Sequence, residues 1–245
     1  MTSELLILLT ISIFVVAILY GSVGHGGASG YIALMALFGL APALLKPTAL
    51  SLNIVVSATV AWLFIRSGHF AWRLFWPFAL TSIPASFLGG YLTLPVAIYR
   101  PLLGVALLFA ALRLLLKVRD DDRPLAALPL PLALIIGALF GLLSGLTGIG
   151  GGIFLSPLLL LGGWGKTREV SGVAALFILV NSCAGLLGHV GVLAEIPSFT
   201  PLLAAAAFSG GLLGATLGCR LLPTRVLIHA LSLVLLLAGS KLILL

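Results

Sequence analysis

The chain has 245 residues, of which 61% are hydrophobic and 8% charged, and its mean hydropathy is +1.29. A soluble domain carries about 25% charged residues, so a water-soluble globule is excluded and a polytopic, all-helical membrane protein is expected. The formal charge of +7 does not indicate nucleic acid, because the basic residues stand singly at the ends of apolar segments. The chain opens without a basic n-region, with only Glu4 before an apolar stretch over 5–20 that has no clear cleavage site. That stretch is expected to be retained structure rather than a removed signal peptide.

A spanning helix takes about 20 apolar residues. Segment 5–20 falls short of that, and the glycine-rich stretch Gly21-Ser-Val-Gly-His-Gly-Gly-Ala28 follows it. A shorter apolar segment, 28–40, comes next, and then three long ones at 47–65, 74–94 and 96–116. A polar loop with Asp120, Asp121 and Asp122 between Arg119 and Arg123 interrupts the apolar chain near its middle. The order then repeats: a short segment at 131–143, the stretch Gly145-Leu-Thr-Gly-Ile-Gly-Gly-Gly152, a very short segment at 153–161, and long ones at 170–187, 199–218 and 226–245. Shifted by 124 residues, Gly21, Gly24, Gly26 and Gly27 coincide with Gly145, Gly148, Gly150 and Gly151. Leu94-Pro95 and Leu222-Pro223 correspond at a slightly larger offset. We therefore expect two membrane repeats, 1–118 with its tip at 21–30 and 131–245 with its tip at 145–152, joined by the loop 119–130.

Each short pair is expected to form a glycine-tipped hairpin, or two tilted crossings, that returns the chain to its starting face. Three long crossings follow, so the second repeat is inverted relative to the first. This places Arg66, Arg73, Arg113, Lys117, Arg119, Arg123, Lys166, Arg168, Arg220 and Arg225 on one face, and Lys46, Arg100 and Lys241 on the other. Ten against three puts the first face, with the central loop, in the cytoplasm and both termini outside.

The tips carry the chemistry. Glycine at a helix start leaves backbone N–H groups bare, and the positive helix end points the same way, which suits an anion. Such irregular backbone is tolerated at membrane depth only where it is buried in protein or lines a cavity. The tips alone read equally as tight turns or as glycines for close helix packing; their agreement in register favours binding. Candidate binding residues are Gly24, His25, Gly26, Gly27 and Ser29 in the first tip, and Thr147, Gly148, Gly150, Gly151 and Gly152 in the second. Ser22 offers a further hydroxyl. Asn53 and Asn181, in the long segments after each tip, offer side-chain donors, or else a helix-to-helix hydrogen bond. His25 is the candidate proton carrier, with His189 as a second or as a gate. His69 and His229 read as surface and helix residues. No carboxylate lies deep in a segment: Glu169 stands beside Arg168 at a segment end, and Glu195 lies in a loop. A metal site is therefore not expected, and no cofactor is implied. Cys183 and Cys219 read as small packing residues.

The paired glycine motifs, the length and the apolar repeat resemble the TauE/SafE family of sulfite and organosulfonate exporters. The second motif, Gly145 to Gly152 followed by Pro157, is the more specific part. The first departs from it, with His25 and Ala28-Ser29 where the second has Ile149 and Gly152-Ile153. The resemblance implies export of small sulfur-containing anions across a bacterial inner membrane, with lipid as the surroundings. On this reading the anion binds between the two tips and alternating access moves it. A passive anion channel would use the same donors. Gly27-Ala28-Ser29-Gly30 also matches the Gly-x-Ser-Gly of rhomboid-type intramembrane proteases, with His189 as the partner. Against that reading, Trp72-Arg73 follows the motif rather than preceding it, and the second tip has no equivalent serine. Nothing in the sequence specifies an oligomeric state.

Overall fold

An apolar chain in a bilayer has no water for its backbone polar groups, so it satisfies them within helices. A computed structural model describes residues 3–92, 95–115, 125–189 and 196–218, with Leu236, Ser240 and Ile243 also helical. It is all-helical, with no strand among the described residues. In chain order come α1 (Ser3–Ser22), α2 (Ala28–Leu37), α3 (Pro42–Arg66), α4 (Trp72–Tyr91) and α5 (Val96–Leu115). After the middle come α6 (Leu130–Thr147), α7 (Gly152–Leu161), α8 (Thr167–Gly188) and α9 (Thr200–Gly218). Of these, α1, α3, α6, α8 and α9 are long and apolar enough to cross a membrane. The central loop at 119–124, Lys117, Glu195, Cys219, Arg220, Leu222-Pro223, Arg225, His229 and Lys241 lie outside the described residues, as does most of the last predicted segment.

Two element bounds differ from those expected. The first concerns the helices before the tips: α1 has 20 residues and α6 has 18, and both run past the first glycine of their motifs. Gly21 and Gly145 are packing glycines, not turn glycines. A Cβ on Gly21 would fall 2.7 Å from the Gly211 carbonyl oxygen, and one on Gly145 would fall 2.7 Å from the Gly90 nitrogen. The second concerns α3, which begins at Pro42 rather than at Pro47. Pro42 supplies a preset φ at the helix start, whereas Pro47 lies inside the helix, where it has no N–H to donate to the Ala43 carbonyl. Lys46 is consequently inside a helix and buried, not in an outer loop.

The helices do not pack in chain order. α1 lies against α9 and α4 against α6; α3 packs on α8 and α9, and α4 also packs on α8. Exchanging α1–α4 with α6–α9 maps this set of contacts onto itself. Two apolar cores form, the first of which also takes in Ile153 and Phe154 of α7 and Ala175 of α8. One joins Leu9, Ile13, Tyr31, Val56 and Leu203 from α1, α2, α3 and α9. The other joins Phe78, Ala133, Leu155 and Phe177 from α4, α6, α7 and α8. Each short helix is thereby sandwiched between longer ones, which fixes the tip that precedes it.

Small residues set the α4–α6 distance. Gly137, Gly141 and Gly145 face Phe78, Ser82 and Ser86, one turn apart on each helix. Without a hydrophobic drive between helices in lipid, such close backbone approach supplies the attraction. Gly141→Leu would push its Cβ into the Ser82 carbonyl group and within 2.5 Å of the Ser82 Cα. Overpacking against backbone costs about 1–3 kcal/mol or more. We expect a clearly lowered unfolding temperature in detergent for Gly141→Leu, read by thermal denaturation of the purified protein.

Candidate functional site

Both tips are built alike. α2 and α7 each have 10 residues and start from a glycine in the left-handed region, Gly27 at φ 98° and Gly151 at φ 74°. Three residues before each, Gly24 and Gly148 are also left-handed, at φ 82° and 78°. An L side chain in that region costs about 1–2 kcal/mol, so glycine is the residue the turn demands. The 124-residue register is therefore a correspondence of backbone conformation. It fails at one place: Gly150 is left-handed at φ 85°, whereas its counterpart Gly26 is not.

The tips meet. A Cβ on Gly26 would touch the Asn53 amide oxygen and lie 3.0 Å from Ile178 Cγ2. A Cβ on Gly150 would touch the Asn53 amide nitrogen, 3.0 Å from the same Ile178 methyl and 3.2 Å from Ser182 Oγ. So one glycine from each repeat closes on the same two side chains, Asn53 of α3 and Ile178 of α8. Asn53 is fully buried and ties the halves together. Its Oδ1 accepts the Ala28 N–H at 3.2 Å, at the start of α2, and its Nδ2 donates to Ser182 Oγ at 2.8 Å. The N–H groups of Gly26, Gly27, Gly150 and Gly151 have no acceptor among the described residues.

His25 also joins the halves. Its Nδ1–H donates to the Val23 carbonyl at 3.1 Å, and its Nε2 meets Ser156 Oγ of α7 at 3.1 Å. Ser156 Oγ is equally placed to donate to the Gly152 carbonyl, at 3.1 Å. The two orientations of that hydroxyl suit two states of the ring. A neutral ring accepts from Ser156, and a protonated one donates to it while Ser156 turns to Gly152.

The other sequence candidates sit at or beside this centre. Gly24 packs on Ser171, whose Oγ donates to the Val23 carbonyl at 3.3 Å. Gly148 packs on the stem of Lys46, and Gly152 packs on Ile178. Thr147 Oγ1 donates to the Leu143 carbonyl at 2.6 Å and accepts the Ile149 N–H at 3.4 Å, so it shapes the tip. Ser22 Oγ turns back to the Leu19 carbonyl at 2.7 Å. Ser29 is buried, and its Oγ shares a 2.6 Å hydrogen bond with the Tyr20 hydroxyl of α1. Asn181 donates to the Phe177 carbonyl at 2.8 Å, and its buried Oδ1 has no donor among the described residues. His189 ends α8 with Nδ1 at 3.1 Å from the Gly90 carbonyl. Glu169 caps α8, its carboxylate accepting the Lys166 backbone N–H at 3.4 Å.

Lys46, Ser156, Ser171, Ile178 and Ser182 are the centre's members that the sequence did not single out. A serine in an apolar helix gives no signal of its own. Lys46 did have one, since it stands seven residues before Asn53 and so shares its helix face.

No group of three or more metal-ligating side chains occurs among the described residues. The chain matches the family model described as "Sulfite exporter TauE/SafE" over residues 9–242. It is 41% identical over 239 residues to the "Probable membrane transporter protein y4hK" of Sinorhizobium fredii (strain NBRC 101917 / NGR234), covering 96% of this chain and 97% of that one. No solved structure matches it. With almost its whole length matched on both counts, the chain is a multi-pass membrane protein that belongs to the TauE/SafE family of membrane transporters.

Proposed function

We propose that this protein is an alternating-access carrier that exports small sulfur-containing anions, sulfite or organosulfonates, across a bacterial inner membrane. The observation that carries the reading is the meeting of two glycine tips on Asn53, each with two N–H groups that have no acceptor among the described residues. Bare amides at two short-helix starts favour an anion and place no carboxylate against it. The family's description supplies the sulfur chemistry. The candidate substrate contacts are Gly24, His25, Gly26, Gly27, Asn53, Gly148, Gly150, Gly151 and Gly152, with Thr147, Ser29 and Asn181 behind them.

The two repeats are taken as inverted, with the central loop cytoplasmic and both termini outside. Rocking of one core against the other would open the tips to each face in turn. A carrier is preferred to an open channel because the meeting point is buried: Asn53, Ser182 and Asn181 are all at 0% exposure. The protease reading loses support, because the Ser29 hydroxyl is engaged by Tyr20 and the His189 ring by Gly90. A negative interior drives an anion outward by about 2.3 kcal/mol per charge per 100 mV. His25, poised on Ser156, is the residue through which a proton would be coupled.

Sulfite flux into and out of liposomes carrying the purified protein tests this. We expect saturable flux that other sulfur oxyanions compete for and that an imposed potential accelerates in the outward sense. Dependence on an imposed pH gradient, lost in His25→Gln, would establish proton coupling. Absence of flux for every small oxyanion would overturn the reading.

A further inference from the structure

Lys46 is the one lysine or arginine among the buried described residues. It lies on α3 at 6% exposure, and its ammonium donates to the carbonyls of Gly89 at 3.2 Å, Gly90 at 3.1 Å and Leu92 at 3.5 Å. These are the last carbonyls of α4, the negative end of that helix. The stem of Lys46 forms the floor under the second tip, since a Cβ on Gly148 would lie 3.1 Å from its Cγ and 3.2 Å from its Cα. Its head sits beside the same tip, because Gly89 and Gly90 pack on Gly145 and Leu146. A full positive charge therefore stands at the joint between the second tip and the end of α4.

Packing alone does not ask for that charge. At the first tip the corresponding place is held by Ser171, which lies under Gly24 as Lys46 lies under Gly148. Ser171 anchors its tip with a hydroxyl on the Val23 carbonyl. An intramembrane cation is costly, and such residues mark ion or substrate paths. Seven residues on, about 10 Å along the same face of α3, Asn53 receives Gly26 and Gly150. One face of α3 thus presents the Lys46 stem to Gly148 and the Asn53 amide to Gly150.

We propose that Lys46 is the charge-selecting residue of the anion site, an inference that rests on the anion-carrier reading above. In the closed arrangement its ammonium is held by the α4 carbonyls. When the substrate anion occupies the second tip, the ammonium turns from those carbonyls to the anion. His189, whose Nδ1 already meets the Gly90 carbonyl, keeps that carbonyl partnered. The ammonium thereby adds a whole charge where the tip amides supply only partial ones. It also breaks the equivalence of the two tips, so that the second is the stronger anion holder.

The test is sulfite flux in proteoliposomes for the wild type, Lys46→Gln and Lys46→Arg, with the unfolding temperature of each in detergent. Gln keeps donors for the α4 carbonyls but removes the charge. We expect Lys46→Gln to raise the KM for sulfite at least tenfold while unfolding within a few degrees of the wild type. Lys46→Arg is expected to hold KM within about fivefold. Should Lys46→Gln fail to accumulate, the Arg variant decides, and a folded Lys46→Arg without sulfite flux overturns the assignment. A folded Lys46→Gln with wild-type KM reduces Lys46 to a helix cap and overturns it too. Wild-type protein that moves no sulfite brings down the carrier reading itself, and this inference with it.

Discussion

Gly150→Val should abolish sulfite flux while the protein still inserts in the membrane. Two costs coincide at this residue. Its φ of 85° lies in the left-handed region, where a side chain costs about 1–2 kcal/mol and a β-branched one more. Its Cβ would also collide with the Asn53 amide nitrogen and crowd Ile178 and Ser182. Valine therefore drives the second tip off the residue that the first tip also uses. The backbone cost can be measured separately. Gly163 has φ 65° and nothing within 4 Å of an added Cβ, so Gly163→Ala carries the strain without the collision. Gly163→Ala is expected to lower stability by about 1 kcal/mol and to leave flux intact. Flux in Gly150→Val should fall at least 100-fold, to the level of empty liposomes, with the band in the membrane fraction unchanged. Undiminished flux would remove the tips from the mechanism.

Much of the tips' backbone is legible in the sequence, because glycine spacing is a direct record of backbone conformation. Gly24 with Gly148, and Gly27 with Gly151, are left-handed in pairs, as an offset of 124 residues requires. The start of α2 at Ala28 and of α7 at Gly152 follows from the same register. Hydropathy gave the all-helical class, since long unbroken apolar runs suit spanning helices, whereas the strands of a closed barrel alternate apolar and polar residues. It did not give helix ends. Gly21 and Gly145 look like turn residues in a sequence, yet they are helical because another helix needs the space of a side chain. Proline misled in the same way: Pro47 resembled a helix start, but Pro42 is the start, and Lys46 went with the wrong element. The partners across the centre were invisible for a further reason. Ser182 lies 129 residues from Asn53 and Ser156 lies 131 from His25, and a lone serine in an apolar helix carries no period or motif that points to either.

Substitution of Asn53 should have the second large effect, and the choice of replacement separates architecture from charge. Asn53→Leu keeps the number of side-chain heavy atoms but strands the Ala28 N–H and the Ser182 hydroxyl in a dry interior. Each stranded group costs about 1–3 kcal/mol, so a marked fall in unfolding temperature is expected together with at least a tenfold loss of flux. Because Ser182 is one of the stranded groups, Asn53→Leu with Ser182→Ala should cost less than the two single changes summed. Asn53→Asp asks a different question. Its carboxylate still accepts the Ala28 N–H and also accepts the Ser182 O–H, so both bonds that Asn53 makes survive. The main change at the meeting point of the tips is then a negative charge. An anion held by the Gly26, Gly27, Gly150 and Gly151 amides would be repelled from it, and sulfite flux should drop at least 100-fold in protein that still purifies as a folded species. A cation carrier would tolerate that carboxylate or gain from it. Sulfite flux retained in folded Asn53→Asp would therefore mean that the anion crosses somewhere other than between the two tips.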